Sequence, residues 1–239
     1  MIIKEWLLER IRDLARWPIN LWRDFGVRNG RLRALFRRGA TISVSSWLHQ
    51  FIIGLYDLFG MPEVVEFFLR TVTRSSQLTD AEIEMVTAVL GENAIRFNDV
   101  RVLENGLLSL IFRFNGNFGF AYCHSICLPT TSYHPKRQGH VRANRPIVMH
   151  ELTHVYQYEH IGSRYLGEAI YVLVKTKRDC YRYGGKAGLQ SRKAKNGRFA
   201  DLNREQQAML VQNYYTDMER GEETAVYAPF IEQIRNGEL

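Results

Sequence analysis

The chain has 239 residues, 46% hydrophobic and 24% charged, an ordinary globular balance that excludes wholesale disorder. Its three Cys cannot form a fully paired disulfide framework, which excludes a stapled mini-protein. The formal net charge of +7 is unevenly spread: residues 1–40 hold ten Lys or Arg against four Asp or Glu, residues 175–198 hold nine against Asp179 alone, and the remainder carries thirteen basic and twenty acidic residues. The protein is therefore an acidic body with two basic islands, and a basic island admits an anionic membrane or nucleic acid as partner without requiring either.

The N-terminus, Met1-Ile2-Ile3-Lys4-Glu5-Trp6, lacks the uninterrupted apolar core of a secretory signal, so synthesis in the cytoplasm without Sec export is expected. Residues 1–75 predict a helical, basic module whose helices break at Pro18, Gly26, Gly30, Gly39 and Pro62. All four Trp (Trp6, Trp17, Trp22, Trp47) lie in it. In its first helix Trp6, Leu7, Arg10, Ile11, Leu14 and Trp17 recur at helical spacing. That composition suits a helix lying on an anionic membrane. The plainer expectation is that the apolar stripe packs on the rest of the protein. The most apolar run, Ile42 to Gly60, contains His49, Gln50 and Asp57, which argues against a membrane span.

Arg74-Ser75-Ser76-Gln77 marks the expected boundary between this module and a second domain, 76–239. Thr79 is placed to cap a helix with Glu82 as its capping-box partner, Leu78 can staple onto Ile83, and Gly91 supplies a stop. Strands are expected at Asp99–Glu104 and Phe118–Leu128, with Leu107–Phe114 as a third. Within the second, Cys123 and Cys127 of Cys-His-Ser-Ile-Cys would share one strand face. Without another Cys/His pair they read as buried residues rather than a second metal site.

The chemistry concentrates in His150-Glu151-Leu152-Thr153-His154. On a helix, imidazoles four residues apart share a face and reach one metal ion, while Glu151 can take a proton from a water on that metal. Pro146 suits the first turn of such a helix and Gly162 its end. His160 is expected on another face, so the third ligand should be a carboxylate from a later helix. Glu168 and Glu205 are the candidates. Each could equally be a solvated surface carboxylate, and for Glu168 that is the better reading. Glu205 opens a helix that Asn203 can cap with Gln206 as box partner, with Ala208, Val211 and Tyr215 packing inward.

Between the His pair and Glu205 lies the second basic island, with Lys175, Lys177, Arg178, Arg182, Lys186, Arg192, Lys193, Lys195 and Arg198. Its middle, Gly184-Gly185-Lys186-Ala187-Gly188, reads as a flexible loop, either solvated or guiding acidic substrate or a nucleic-acid backbone. As transition-state donors His134, His140, Tyr156, Tyr181 and Tyr183 are all open. Ser-His-Asp, Cys-His-Asn and Gly-rich phosphate-loop patterns are missing, and no recognition motif makes nucleic acid an expected partner.

From about Gln77 to Tyr215 the chain resembles the bacterial zinc-peptidase-like proteins described as Vgr-related or Rhs-associated, which accompany type VI and related contractile secretion systems. The resemblance is carried by Leu78-Thr79-Asp80-Ala81-Glu82-Ile83, the helix at 147–159, Tyr181-Arg182-Tyr183, and Phe199 to Ala208 leading to Asn213-Tyr214-Tyr215. It implies a gluzincin-type α+β domain that binds Zn2+ through His150, His154 and Glu205, with Glu151 as general base. It further implies a peptide substrate, a secretion-apparatus partner and delivery by a contractile secretion system. A metal-stabilised binding module without turnover is the alternative. Residues 1–75 lie outside the resemblance.

Overall fold

The computed structural model describes residues 2–38, 44–104, 108, 112, 119–129 and 144–239. The fold is mixed α+β, mostly helical with one small sheet. Three helices open the chain: α1 (Ile2–Arg38), α2 (Val44–Leu58) and α3 (Met61–Val72). Next come β1 (Arg74–Ser76), α4 (Asp80–Leu90), β2 (Arg101–Glu104), β3 (Phe120–Tyr122) and β4 (Ser125–Cys127). The helices α5 (Arg145–Ile161), α6 (Arg164–Thr176), α7 (Gly185–Ala194), α8 (Arg204–Glu219) and α9 (Ala228–Arg235) complete the described elements, with short 3-10 turns at Lys177–Tyr181 and Phe199–Asp201.

The sheet runs β1-β2-β4-β3. β1 is antiparallel to β2, with Ser75 opposite Leu103, and β2 is parallel to β4, with Val102 opposite Ile126. β4 closes a hairpin with β3. The expected boundary at residue 75 thus falls inside a paired strand. The expected long strand 118–128 is instead this hairpin. Cys123 turns it at φ 53°, in the left-handed region, so Cys123 and Cys127 do not share one strand. Of the expected strand Leu107–Phe114, only Leu108 and Phe112 are described, and both are helical and buried.

The local signals at helix ends act as expected. Thr79 Oγ1 accepts from the Glu82 N–H at 3.3 Å, and Glu82 Oε2 accepts from the Thr79 N–H at 3.0 Å. Asn203 and Gln206 make the same reciprocal pair ahead of α8. Asn144 caps α5, Pro146 lies in its first turn, and Gly162 at φ 67° ends it. One core cluster unites α4 (Val86, Val89, Leu90), the sheet (Val102, Ile126), α5 (Val148, Met149, Leu152, Val155), α8 (Leu210, Val211) and α9 (Phe230, Ile231, Ile234). Each such side chain contributes roughly 1.5–3 kcal/mol by leaving water.

The first helix departs from expectation twice. It runs unbroken from Ile2 to Arg38 through Pro18, Gly26 and Gly30. A mid-helix Pro costs about 3 kcal/mol, and long-range polar contacts on both sides of it hold the helix to the body. Arg10 donates to Ser75 Oγ at 2.6 Å, Arg96 donates to both oxygens of Asp24 at 2.9 Å, and Arg31 donates to the Glu159 carbonyl at 2.6 Å. The helix is also inverted. Arg10 and Arg28 are buried, while Leu7, Ile11 and Leu14 are each at least half exposed, so the apolar stripe does not pack on the body. Trp6 lies outside the side chains described.

α3 docks the same way. Buried Glu66 accepts through Oε1 from the His124 N–H at 2.9 Å, from Ser125 Oγ at 2.7 Å and from Arg70 at 3.0 Å. Asp57 on α2 accepts from the Ser163 N–H at 3.0 and 3.2 Å, fixing the turn after α5. Glu66→Ala should therefore destabilise the fold by about 3 kcal/mol, because it leaves buried Arg70 short of a counter-charge. Urea unfolding followed by far-UV circular dichroism measures this, and a loss below about 1 kcal/mol would contradict it.

Candidate metal centre

Residues 148 to 158 of α5 are buried all round the helix, so a polar group in that stretch is costly unless it meets a partner away from water. α8 packs along α5 and supplies one. Glu205, in the first turn of α8, sets Oε2 3.2 Å from His150 Nε2 and 3.4 Å from His154 Nε2. One ligand atom from each of the three residues lies within 4.8 Å of the others. Two imidazoles and a carboxylate converging in a buried place form a donor set suited to a metal ion.

The groups behind the ligands set their protonation. His154 Nδ1 lies 2.7 Å from Gln157 Oε1; the amide oxygen accepts, so the proton resides on Nδ1 and Nε2 is turned to the metal position. Gln157 in turn donates to the Arg204 carbonyl at 3.1 Å and to Gln207 Oε1 at 2.9 Å, tying α5 to α8 directly beneath the ligands. Burial opposes a charge on His154. Glu205, Glu151 and the Gln157 contact outweigh it, and its pKa is pushed up to about 9. Burial likewise opposes the Glu205 carboxylate, but the two histidines hold it well below the usual carboxylate range. Without metal the site is thus an imidazolium–carboxylate pair.

Glu151 behaves oppositely. Burial raises its pKa, Glu205 adds to the rise, and the two histidines only partly offset it. Its Oε2 and His150 Nδ1 are buried without a hydrogen-bond partner, in keeping with a site built to meet something besides protein. Backbone at Gly119, just before β3, comes so close that a Cβ there would sit 3.0 Å from Glu151 Oε1.

Glu168, the other ligand candidate, is committed elsewhere. Its Oε1 accepts from Arg164 at 2.6 Å and its Oε2 from Arg204 at 2.6 Å. It therefore braces the residue before Glu205. His160 stacks on Tyr156 with ring centroids 4.0 Å apart and its Nδ1 contacts the Tyr156 carbonyl at 2.9 Å. Of the candidate donors, His134 and His140 lie outside the described residues. The Tyr156 hydroxyl is spent on the Ile234 carbonyl, and that of Tyr183 accepts from Asn213 at 2.8 Å. Tyr181 stands beside the cluster, its ring centroid 6.1 Å from that of His150, and burial with Glu205 nearby raises its pKa.

Two participants escaped the sequence reading. Tyr165 stacks on His154 with centroids 5.8 Å apart while donating to the Ala121 carbonyl at 2.9 Å. Gln157 is the other, and its position three residues after His154 on the same helix was the available signal. The second basic island is not a flexible loop at its middle. Gly184, at φ 92°, starts α7 at Gly185, and Gly188 comes so near Tyr183 that a Cβ would meet its carbonyl oxygen at 2.5 Å. Lys186 is paired with Asp217 at 2.9 Å. Comparison with protein-family models, curated proteins and solved structures gives no match to this chain.

Removing the Glu205 charge as Glu205→Gln should lower metal affinity by 100-fold or more, whereas Glu168→Gln should leave one metal bound per chain and cost stability instead. Metal titration with elemental analysis separates the two. The pH dependence has a definite sign. The His154 pKa lies above its ordinary 6.5, so its contribution to apo stability is full below about 6.5 and is lost as pH rises through about 9. Metal must displace that proton, so apparent metal affinity should rise about tenfold per pH unit over the same window. Calorimetric titration in buffers of different ionisation enthalpy should find about one proton released per metal at pH 7.5.

Proposed function

We propose that the protein is a zinc-dependent peptidase of gluzincin type, with His150, His154 and Glu205 holding the metal and Glu151 acting as general base. The observation that carries this reading is the meeting of the Glu205 carboxylate with both imidazoles, while Glu151 beside them keeps an unpaired carboxylate oxygen. The choice of zinc rests on the two-His, one-carboxylate donor set. Zinc bound there would lower the pKa of a water and polarise a scissile carbonyl.

The chain's own residues supply the remainder. Glu151 would accept on its unpaired Oε2 the proton of the water that attacks the scissile carbonyl and return it to the amine as the C–N bond breaks. Its raised pKa brings it nearer the working pH, where a base accepts and releases a proton with least cost. Gln157 holds the His154 ring in orientation. Tyr181 keeps its hydroxyl proton and is the donor best situated to steady charge developing on the carbonyl oxygen. The sequence resemblance of residues 77–215 to Vgr-related and Rhs-associated zinc-peptidase-like proteins, which no family model matches, prompts the further proposal of a role as effector or accessory protein of a contractile secretion system.

Peptide-release assays on labelled casein with the zinc-loaded full chain test the reading. Glu151→Gln should retain metal stoichiometry and lose activity by about 10³-fold, within the range for losing a general base. Equal zinc content with no turnover in either protein would instead mark a metal-stabilised binding module.

A further inference from the structure

The inversion of α1 extends from Leu7 to Phe36. Leu7, Ile11, Leu14, Trp22, Phe25 and Phe36 fall on one side of the helix at 100° per residue and are all exposed, Trp22 by 83%. The side about 110° around carries Arg10, Asp13, Asp24, Arg28 and Arg31, turned inward to partners on the body, α2 and α3. α3, which packs against α1, repeats the pattern. Its exposed residues are Met61, Val65, Phe68 and Val72, one stripe at helical spacing, while Glu66 and Arg70 are buried. A soluble surface helix does the reverse, and so long an apolar face needs a cover.

We propose that this face docks on an anionic lipid surface. Charge decides the occupant. Among the described side chains of α1, the exposed charged ones are all arginines, Arg12, Arg23 and Arg33, and its described acids, Asp13 and Asp24, point inward into ion pairs. Over the described side chains, a second copy packed on the stripe would bring arginines to arginines. An anionic headgroup layer complements them while the acyl region takes the apolar side chains. No described helix is long and apolar enough to cross a membrane, so α1, ~55 Å long, would lie in the interface plane.

The test uses the full chain with sucrose-loaded vesicles of phosphatidylglycerol and phosphatidylcholine, or of phosphatidylcholine alone. Binding should be at least tenfold stronger to the anionic vesicles, and should weaken at high salt. Ile11→Ser with Phe25→Ser, and separately Arg12→Gln with Arg33→Gln, should each lower the partition coefficient about tenfold or more with the urea midpoint unchanged. Tryptophan emission should shift blue on binding, and Trp22→Phe should bind yet lose most of that shift. Three results would overturn the proposal: no sedimentation with anionic vesicles, undiminished binding of the Ile11→Ser/Phe25→Ser protein, or a stable dimer that these two substitutions dissolve.

Discussion

The structure depends on making a dry, polar seam between α5 and α8 tolerable. Two imidazoles and a carboxylate have been taken out of water, and each would cost several kcal/mol if left alone. The seam is tolerable because α8 enters at its capped N-terminus, where Asn203 fixes the first turn and so the position of Glu205. A turn's shift of α8 along α5 would strand all three groups at once. The Gln157–Gln207 contact and the Gln157–Arg204 contact oppose that slip, and Glu168 clamps Arg204 from outside. Because α5 is buried on every side, the sheet, α4 and α9 are required to close over its other faces.

What was legible in the sequence is what is written locally. The two histidines and Glu151 are related by one helix's geometry, and the capping boxes at Thr79 and Asn203 by a single turn of chain. Those signals need no tertiary partner. Glu205 and Glu168 were harder to tell apart, because a carboxylate's role is decided by the cation that reaches it, and Arg164 and Arg204 reach only one of them. Helix-breaking residues misled for the same reason. Pro18 and the glycines of α1 lower local preference, but the Asp24–Arg96 ion pair and the Arg31 hydrogen bond to the Glu159 carbonyl, 72 and 128 positions away, overrule it. At Gly184–Gly188 the glycines that suggested looseness permit close backbone approach instead.

The amphipathic pattern of α1 was visible as a period but not as a direction. Periodicity states that two faces differ and is silent on which one meets the protein. Direction was set by the body, which offers Asp99, Glu159 and the strand residue Ser75 to the arginines of α1 and the arginine Arg96 to its Asp24. Charged groups facing inward also explain the polar contacts on α2 and α3: Asp57 ties the turn after α5, and Glu66 ties the β3–β4 hairpin. α2 and α3 therefore brace the two segments flanking the candidate metal centre.

The three residues of β1 carry a consequence for how this protein can be divided. They close the open side of β2, whose Leu103 and Val102 face Ser75 and Ser76 across the ladder. Cutting the chain at residue 76 would bare the backbone donors and acceptors of β2 together with the Asp99 carboxylate, which pairs with Arg16 and Arg23 of α1. A sheet margin exposed in this way is a template for pairing with other chains. The shortened protein would be prone to self-association through β2, so a loss of function in it would report the unprotected margin as readily as the missing helices.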